Sequence, residues 1–188
     1  YDDGGIYEGT FKDGLQHGTG TYRLPNGFEY SGQWIDGEIR GNGTARFPNG
    51  SVYEGEFAKG KPEGIGKIIM SDGGTYEGEW LGGTIVGQGV AIHASGERYE
   101  GGFRNGKRHG KGVLVLPSGY EYKGDWVDGQ ATGQAVIKDA EGAVYEGTVI
   151  NGARAGEGTL THPEGFTLTG TWADGQLNGK GKIVQANG

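Results

Sequence analysis

Seven tyrosines, Tyr7, Tyr30, Tyr53, Tyr76, Tyr99, Tyr122 and Tyr145, follow one another at intervals of 23 residues, and Leu168 takes the next position. Eight copies of one motif fill the chain without insertion or deletion. A fixed period of this length marks a repeat array, in which no copy can bury its apolar face alone and each stacks on its neighbours. Residues 1–188 are therefore read as a single array, with copies starting at 7, 30, 53, 76, 99, 122, 145 and 168. An array offers a repeated surface and two ends, and this turns the functional question toward binding rather than catalysis.

Glycine and aromatic residues are locked to the period. Of 44 glycines, 40 lie in five fixed columns, and only Gly5, Gly74, Gly82 and Gly102 fall outside them. Of 20 aromatic residues, 14 lie in two columns. One is the tyrosine column; the other, four residues later, holds Phe11, Trp34, Phe57, Trp80, Phe103, Trp126 and Trp172, with Val149 in the seventh copy. The first copy reads Tyr7-Glu8-Gly9-Thr10-Phe11, then Gly14, then Gly18-Thr19-Gly20, and closes on Pro25-Asn26-Gly27. Collagen is excluded, because its period is three. A flexible glycine linker is excluded by the interleaved aromatics.

Helix does not fit this spacing. The longest stretch free of glycine runs from Gln134 to Glu141, shorter than the ~11 residues of an average helix. Strands fit: from Phe28 to Trp34, Phe28, Tyr30, Gly32 and Trp34 alternate with Glu29, Ser31 and Gln33, the period of a pleated strand. A second run follows each Gly-x-Gly, as at Lys67–Met70 and Val113–Leu116. Asn26-Gly27, Asn49-Gly50 and Asp72-Gly73 are tight-turn signals between runs. The expected fold is all-β: stacked β-hairpins, two strands per copy, in an elongated, twisted, single antiparallel sheet. Sixteen strands at ~4.8 Å spacing give roughly 75 Å. With no second layer, the rings must find cover on their own sheet. The glycine two residues after each tyrosine, and Gly20, Gly43, Gly66, Gly89, Gly112, Gly158 and Gly181 on the second strand, leave bare backbone for stacked rings to lie on. The expected aromatic core is Tyr7, Phe11, Tyr30, Trp34, Tyr53, Phe57, Tyr76, Trp80, Tyr99, Phe103, Tyr122, Trp126 and Tyr145.

The pattern Tyr-Glu-Gly-x-Phe/Trp, x-x-Gly, x-x-x-Gly-x-Gly resembles the MORN (membrane occupation and recognition nexus) repeat, in register over essentially the whole chain. A chain made only of such repeats is similar to the cytoskeletal MORN-repeat scaffold proteins of parasitic protozoa. The resemblance implies a non-enzymatic scaffold, cytoplasmic and cytoskeleton-associated, with cytoskeletal proteins as partners. It also implies, as the alternative, a peripheral module that binds anionic phosphoinositide lipids.

The rest of the composition sets bounds. There is no cysteine, hence no disulfide frame and no thiolate zinc site. A net charge of -7 argues against nucleic-acid binding, which needs a basic footprint. His17 and His109 share a column ~38 Å apart, and His93 and His162 another ~29 Å apart, at the strand spacing above. Neither pair can hold one metal within a chain, so the expectation is no metal and no cofactor. Glu8, Glu54, Glu77, Glu100 and Glu146, joined by Glu56, Glu79 and Asp125, read as a solvated acidic face. The basic residues Lys59, Lys61, Arg104, Lys107, Arg108 and Lys111 are the candidate lipid-binding set, with Lys61, Lys107 and Arg108 placed at hairpin loops. The last two copies depart from the pattern, either as degenerate repeats or as an interface. The expectation is an antiparallel homodimer through copies six to eight, with Val149, Phe166, Leu168 and Trp172 as contacts. The chain opens on Tyr1 without a methionine and closes at Gly188, one period past Gly165, and is read as a piece of a longer array.

Overall fold

A computed structural model describes residues 2–186, so Tyr1, Asn187 and Gly188 lie outside the described residues. No described residue is helical. The chain divides into two compact units, Tyr1–Ala94 and Ser95–Gly188. The first holds β1 (Ile6–Lys12), β2 (Leu15–Arg23), β3 (Glu29–Ile35), β4 (Glu38–Arg46), β5 (Val52–Ala58), β6 (Lys61–Ile69), β7 (Thr75–Leu81) and β8 (Thr84–Ile92). The second holds β9 (Arg98–Arg104), β10 (Lys107–Val115), β11 (Glu121–Val127), β12 (Gln130–Lys138), β13 (Val144–Ile150), β14 (Ala153–Thr161), β15 (Thr167–Ala173) and β16 (Gln176–Val184). Within each unit every strand pairs antiparallel with the next in sequence. The all-β reading with two strands per 23 residues is borne out.

Two kinds of turn alternate. Inside each copy a two-residue turn joins the strands, with both residues left-handed: Asp13 at φ 50° and Gly14 at φ 79°, and likewise Asn105 and Gly106. This is the primed hairpin turn, whose twist matches that of the strands. Between copies runs a five-residue loop, in which Gly27 N–H donates to Leu24 O and Leu24 N–H to Phe28 O. The Asn-Gly signals fall in this longer loop. There Asn26 Oδ1 accepts the Phe28 N–H at 2.9 Å, so asparagine serves through its side chain.

A bulge within each copy organises the packing. Gly9 faces Gly20, but the next pair is Phe11 with Gln16. Thr10 thus stands against three residues of β2, and the same shift recurs at Gly32/Trp34, Gly55/Phe57, Gly124/Trp126, Gly147/Val149 and Gly170/Trp172. At the bulge the residue three after each tyrosine offers its carbonyl to the tyrosine hydroxyl. Tyr7 donates to Thr10 O at 2.8 Å, Tyr30 to Gln33 O at 2.8 Å, Tyr53 to Glu56 O at 2.7 Å and Tyr145 to Thr148 O at 2.7 Å. Tyr76, Tyr99 and Tyr122 do the same. To reach this carbonyl the hydroxyl end of the ring must cross the glycine pair. A Cβ added at Gly43 would lie 2.5–2.6 Å from the Tyr30 ring and hydroxyl, and one at Gly32 2.5 Å from the Gly43 backbone.

The rings meet edge to face rather than stacked as expected, the arrangement their quadrupoles prefer. In the first unit the chain of contacts is continuous: Phe11, Tyr7, Trp34, Tyr30, Phe57, Tyr53, Trp80, Tyr76, with centroids 5.0–5.6 Å apart at 80–86°. In the second unit it runs Phe103, Tyr99, Trp126, Tyr122 and stops at Val149, to resume as Tyr145 with Trp172. Each pair contributes about 0.5–1.5 kcal/mol beyond its buried area. Tyrosines 30, 53, 76, 99, 122 and 145 are all at most 1% exposed. Each tryptophan also donates its indole N–H to a glycine carbonyl of the preceding copy, as Trp80 to Gly66 O at 2.9 Å.

Gly43→Ala is therefore expected to lower stability by about 2 kcal/mol, in the range of overpacked sites, read from its chemical-denaturation midpoint. The sixth copy carries Ala135 at this column, buried under Tyr122 in register with Gly124. Ala135→Gly should accordingly change stability by less than about 1 kcal/mol; equal effects at both positions would contradict the ring-over-glycine contact.

Candidate functional site

The tyrosine, glycine and Phe/Trp columns are consumed in holding the sheet together. What remains for function is the set of columns that vary from copy to copy, and several of these also turn out to be structural. In copies three, four and six the residue after the bulge glycine is acidic. Glu56 accepts the Ile65 N–H at 2.5 Å, Asp125 the Gln134 N–H at 2.8 Å, and Glu79 the Gln88 N–H. Gln33 does the same for Asn42. Glu56, Glu79 and Asp125 are therefore not simply part of a solvated acidic face, because each satisfies a backbone donor that the bulge takes out of the ladder. A hydrogen bond from Lys111, reinforced by the Gln134 N–H, holds the Asp125 carboxyl below the usual carboxylate range.

The histidines serve a second repeated bond. In four copies the tenth residue after the tyrosine faces the two-residue turn of the next copy. His17 Nδ1 accepts the Asp36 N–H at 3.3 Å and His109 Nδ1 the Asp128 N–H at 3.2 Å. Glu63 takes the same role for Gly82 at 2.7 Å and Thr132 for Asn151 at 3.0 Å. His162 stacks on Phe166 with ring centroids 4.4 Å apart. Among the described residues no group of three or more His, Asp or Glu side chains is placed to hold a metal ion.

The candidate basic set divides. Arg108 is not a loop residue: it is the second residue of β10, its guanidinium 5.1 Å from the Tyr99 ring centre and 5.2 Å from that of Trp126, and it pairs with Glu97. Lys111 pairs with Asp125. Lys59, at the turn between β5 and β6, and Lys61, the first residue of β6, are exposed. Arg104 and Lys107 flank the Asn105-Gly106 turn and are also exposed. The candidate dimer contacts divide as well. Val149 is 0% and Trp172 4% exposed, inside their own sheet, whereas Phe166 and Leu168 are half-buried.

Sequence reasoning overlooked Arg154. It occupies the column of Arg108, 46 residues later, with its guanidinium 5.1 Å from the Trp172 ring centre and 5.8 Å from that of Tyr145. The signal was present: both arginines stand nine residues after the tyrosine of their copy, in copies whose next neighbour carries Trp.

These repeats are MORN repeats. The MORN repeat model matches residues 7–28, 30–52, 53–75, 76–98, 99–119, 122–144, 145–167 and 169–188, and the chain belongs to this family. No curated protein matches the chain. Among solved structures, the TCP domain of Drosophila melanogaster SAS-4 (dCPAP), in complex with a proline-rich motif of Ana2 (dSTIL), is similar at 13% identity. It covers 77% of this chain and 83% of that one with a TM-score of 0.47. The TCP10 domain of Danio rerio CPAP is 16% identical over 93% of this chain and 84% of that one, TM-score 0.45. The CPAP G-box domain is 14% identical over 89% and 98%, TM-score 0.43. At these similarities the likeness carries no functional argument for this chain.

The buried hydroxyls give the fold an alkaline limit. Burial pushes Tyr30, Tyr53, Tyr76, Tyr99 and Tyr122 up from 10.0 to about 12. A group whose folded value is raised contributes stability that is whole below its unfolded value and lost as pH climbs to the folded one. The chain should keep its full stability up to about pH 10 and lose it between 10 and 12, with tyrosinate absorbance and the loss of β-sheet signal rising together. Titration of these five tyrosines near pH 10 in the intact fold would contradict the burial of their hydroxyls.

Proposed function

We propose that this chain is a repeat scaffold of a cytoskeletal assembly, which recruits proteins through columns that vary from copy to copy. One observation carries this reading. The invariant columns are spent inside the sheet, so each copy presents its variable side chains at a fixed spacing from those of its neighbours. The family supports it, since MORN arrays serve as interaction modules. The chain then works by geometry, setting distances between partners, and not by chemistry on a substrate. After detergent extraction of cells making the tagged full chain, retention in the insoluble cytoskeletal fraction is expected. Complete release would contradict the reading.

The finer part of the proposal is a two-fold antiparallel homodimer through copies six to eight. Every residue of β16 is exposed, and an exposed strand edge invites pairing with another chain. With Val149 and Trp172 buried, Phe166 and Leu168 are the side chains left to make the contact. Light scattering should give twice the chain mass for the full chain and a monomer after deletion of residues 146–188. A monomer at every concentration would sink the dimer, and an intact dimer after deletion would place it elsewhere.

A second reading draws on four exposed cations, Lys59, Lys61, Arg104 and Lys107, none in an ion pair among the described residues. They make a peripheral contact with anionic phosphoinositide membranes, at about 1 kcal/mol per cation near the surface. Sedimentation with phosphatidylinositol-bisphosphate vesicles at physiological salt should then fall in Arg104→Glu/Lys107→Glu. No sedimentation of the unaltered chain would end it.

A further inference from the structure

The copies act as one another's controls, and the comparison singles out Arg154. Arg108 and Arg154 hold the same column and the same pose, each guanidinium resting on two rings. Arg108 is neutralised within the chain by Glu97, two residues ahead of Tyr99. The residue two ahead of Tyr145 is Ala143, 8% exposed. Among the described residues Arg154 forms no ion pair.

A side chain that caps the next turn is missing as well. In the third copy Glu63 accepts the turn N–H of Gly82 at 2.7 Å. Its counterpart in the seventh copy is Ala155, so no side chain at this column reaches the Asp174 N–H. Beside Arg154 lies a cleft of about 440 Å³, lined by Ile150, Ala153, Ala155, Trp172 and Asp174. Asp174 stands exposed on its rim, beyond ion-pair distance from Arg154.

We propose that Arg154, on the wall of this cleft, is the docking point for an acidic segment of a partner protein, whose Asp or Glu carboxylate pairs with its guanidinium as Glu97 pairs with Arg108. The planar guanidinium matches a carboxylate through two parallel hydrogen bonds, and the ring beneath it removes one face from water, which strengthens the pairing. The small apolar walls accept a side chain next to the acidic residue. The inference rests on the scaffold reading, since it names the chemistry of one recruited partner.

The test titrates the full chain with the capped peptide acetyl-Ala-Glu-Leu-Glu-Ala-amide, and with its Gln counterpart, while following the Arg154 Nε–H and Trp172 indole N–H resonances. Saturable shifts with the Glu peptide are expected, with affinity about tenfold weaker for the Gln peptide. The same loss is expected in Arg154→Met, and in Ala143→Glu, which supplies the carboxylate from within the chain. Arg108→Met should leave binding unchanged. Should Ala143→Glu lose the β-sheet circular dichroism of the parent, Arg154→Met decides. Equal binding of both peptides, or full binding by a folded Ala143→Glu, overturns the proposal, as does inorganic phosphate shifting these resonances where the Glu peptide does not. Failure of the titration while the chain stays in the cytoskeletal fraction removes this site alone; release of the unaltered chain from that fraction removes the scaffold reading.

Discussion

The structure depends on one bond repeated seven times, from a tyrosine hydroxyl to the carbonyl three residues on. A single-layer sheet has no partner layer to bury its apolar face, so each copy must cover its own. The bulge takes one carbonyl and one N–H out of the ladder with β-strand neighbours. The hydroxyl takes the carbonyl from one face, and a Glu, Gln or Asp side chain takes the N–H in copies two, three, four and six. Burying either group without a partner costs about 1–3 kcal/mol, so the two satisfied together hold the bulge in register. In most copies a glycine pair makes room for this bond, a Cβ at Gly32 or Gly43 meeting the ring or the facing backbone, while the sixth copy forms it over Gly124 and Ala135.

Edge-to-face contacts then propagate the arrangement from copy to copy. Within each unit Tyr7, Tyr30, Tyr53 and Tyr99 touch their own Phe or Trp and the one in the following copy, and each Trp ties its indole N–H to the copy before. Nearest-neighbour coupling of this kind makes stability a sum over interfaces. Val149 interrupts it, and in the copy that follows Leu168 replaces tyrosine.

The sequence made the larger part of this legible. The period gave the strands and the tyrosine and glycine columns, since both patterns survive in primary structure. Three things were hidden. The bulge is a property of register, and nothing in Thr10 or Glu56 alone shows that its carbonyl turns toward a tyrosine. The two-residue turn was masked because Lys59 and Gly82 stand where Asp or Asn stand in the other copies, while the more conspicuous Asn-Gly pairs belong to the longer loop. Arg108 read as part of a basic cluster because its partners, Glu97, Tyr99 and Trp126, lie as far as 18 positions away along the chain. Cation–π contacts and ion pairs across strands carry no local mark.

The eighth copy offers the most direct test, since Leu168 stands there in place of tyrosine and the side chain nearest Gly170 and Gly181 is that of Leu177. Amide hydrogen exchange in β15 and β16 should slow by about tenfold in Leu168→Tyr, which adds the hydroxyl for Thr171 O, and little in Leu168→Phe, which adds the ring alone. Equal protection from Phe and Tyr would show that ring burial, and not the hydroxyl bond at the bulge, holds each copy together.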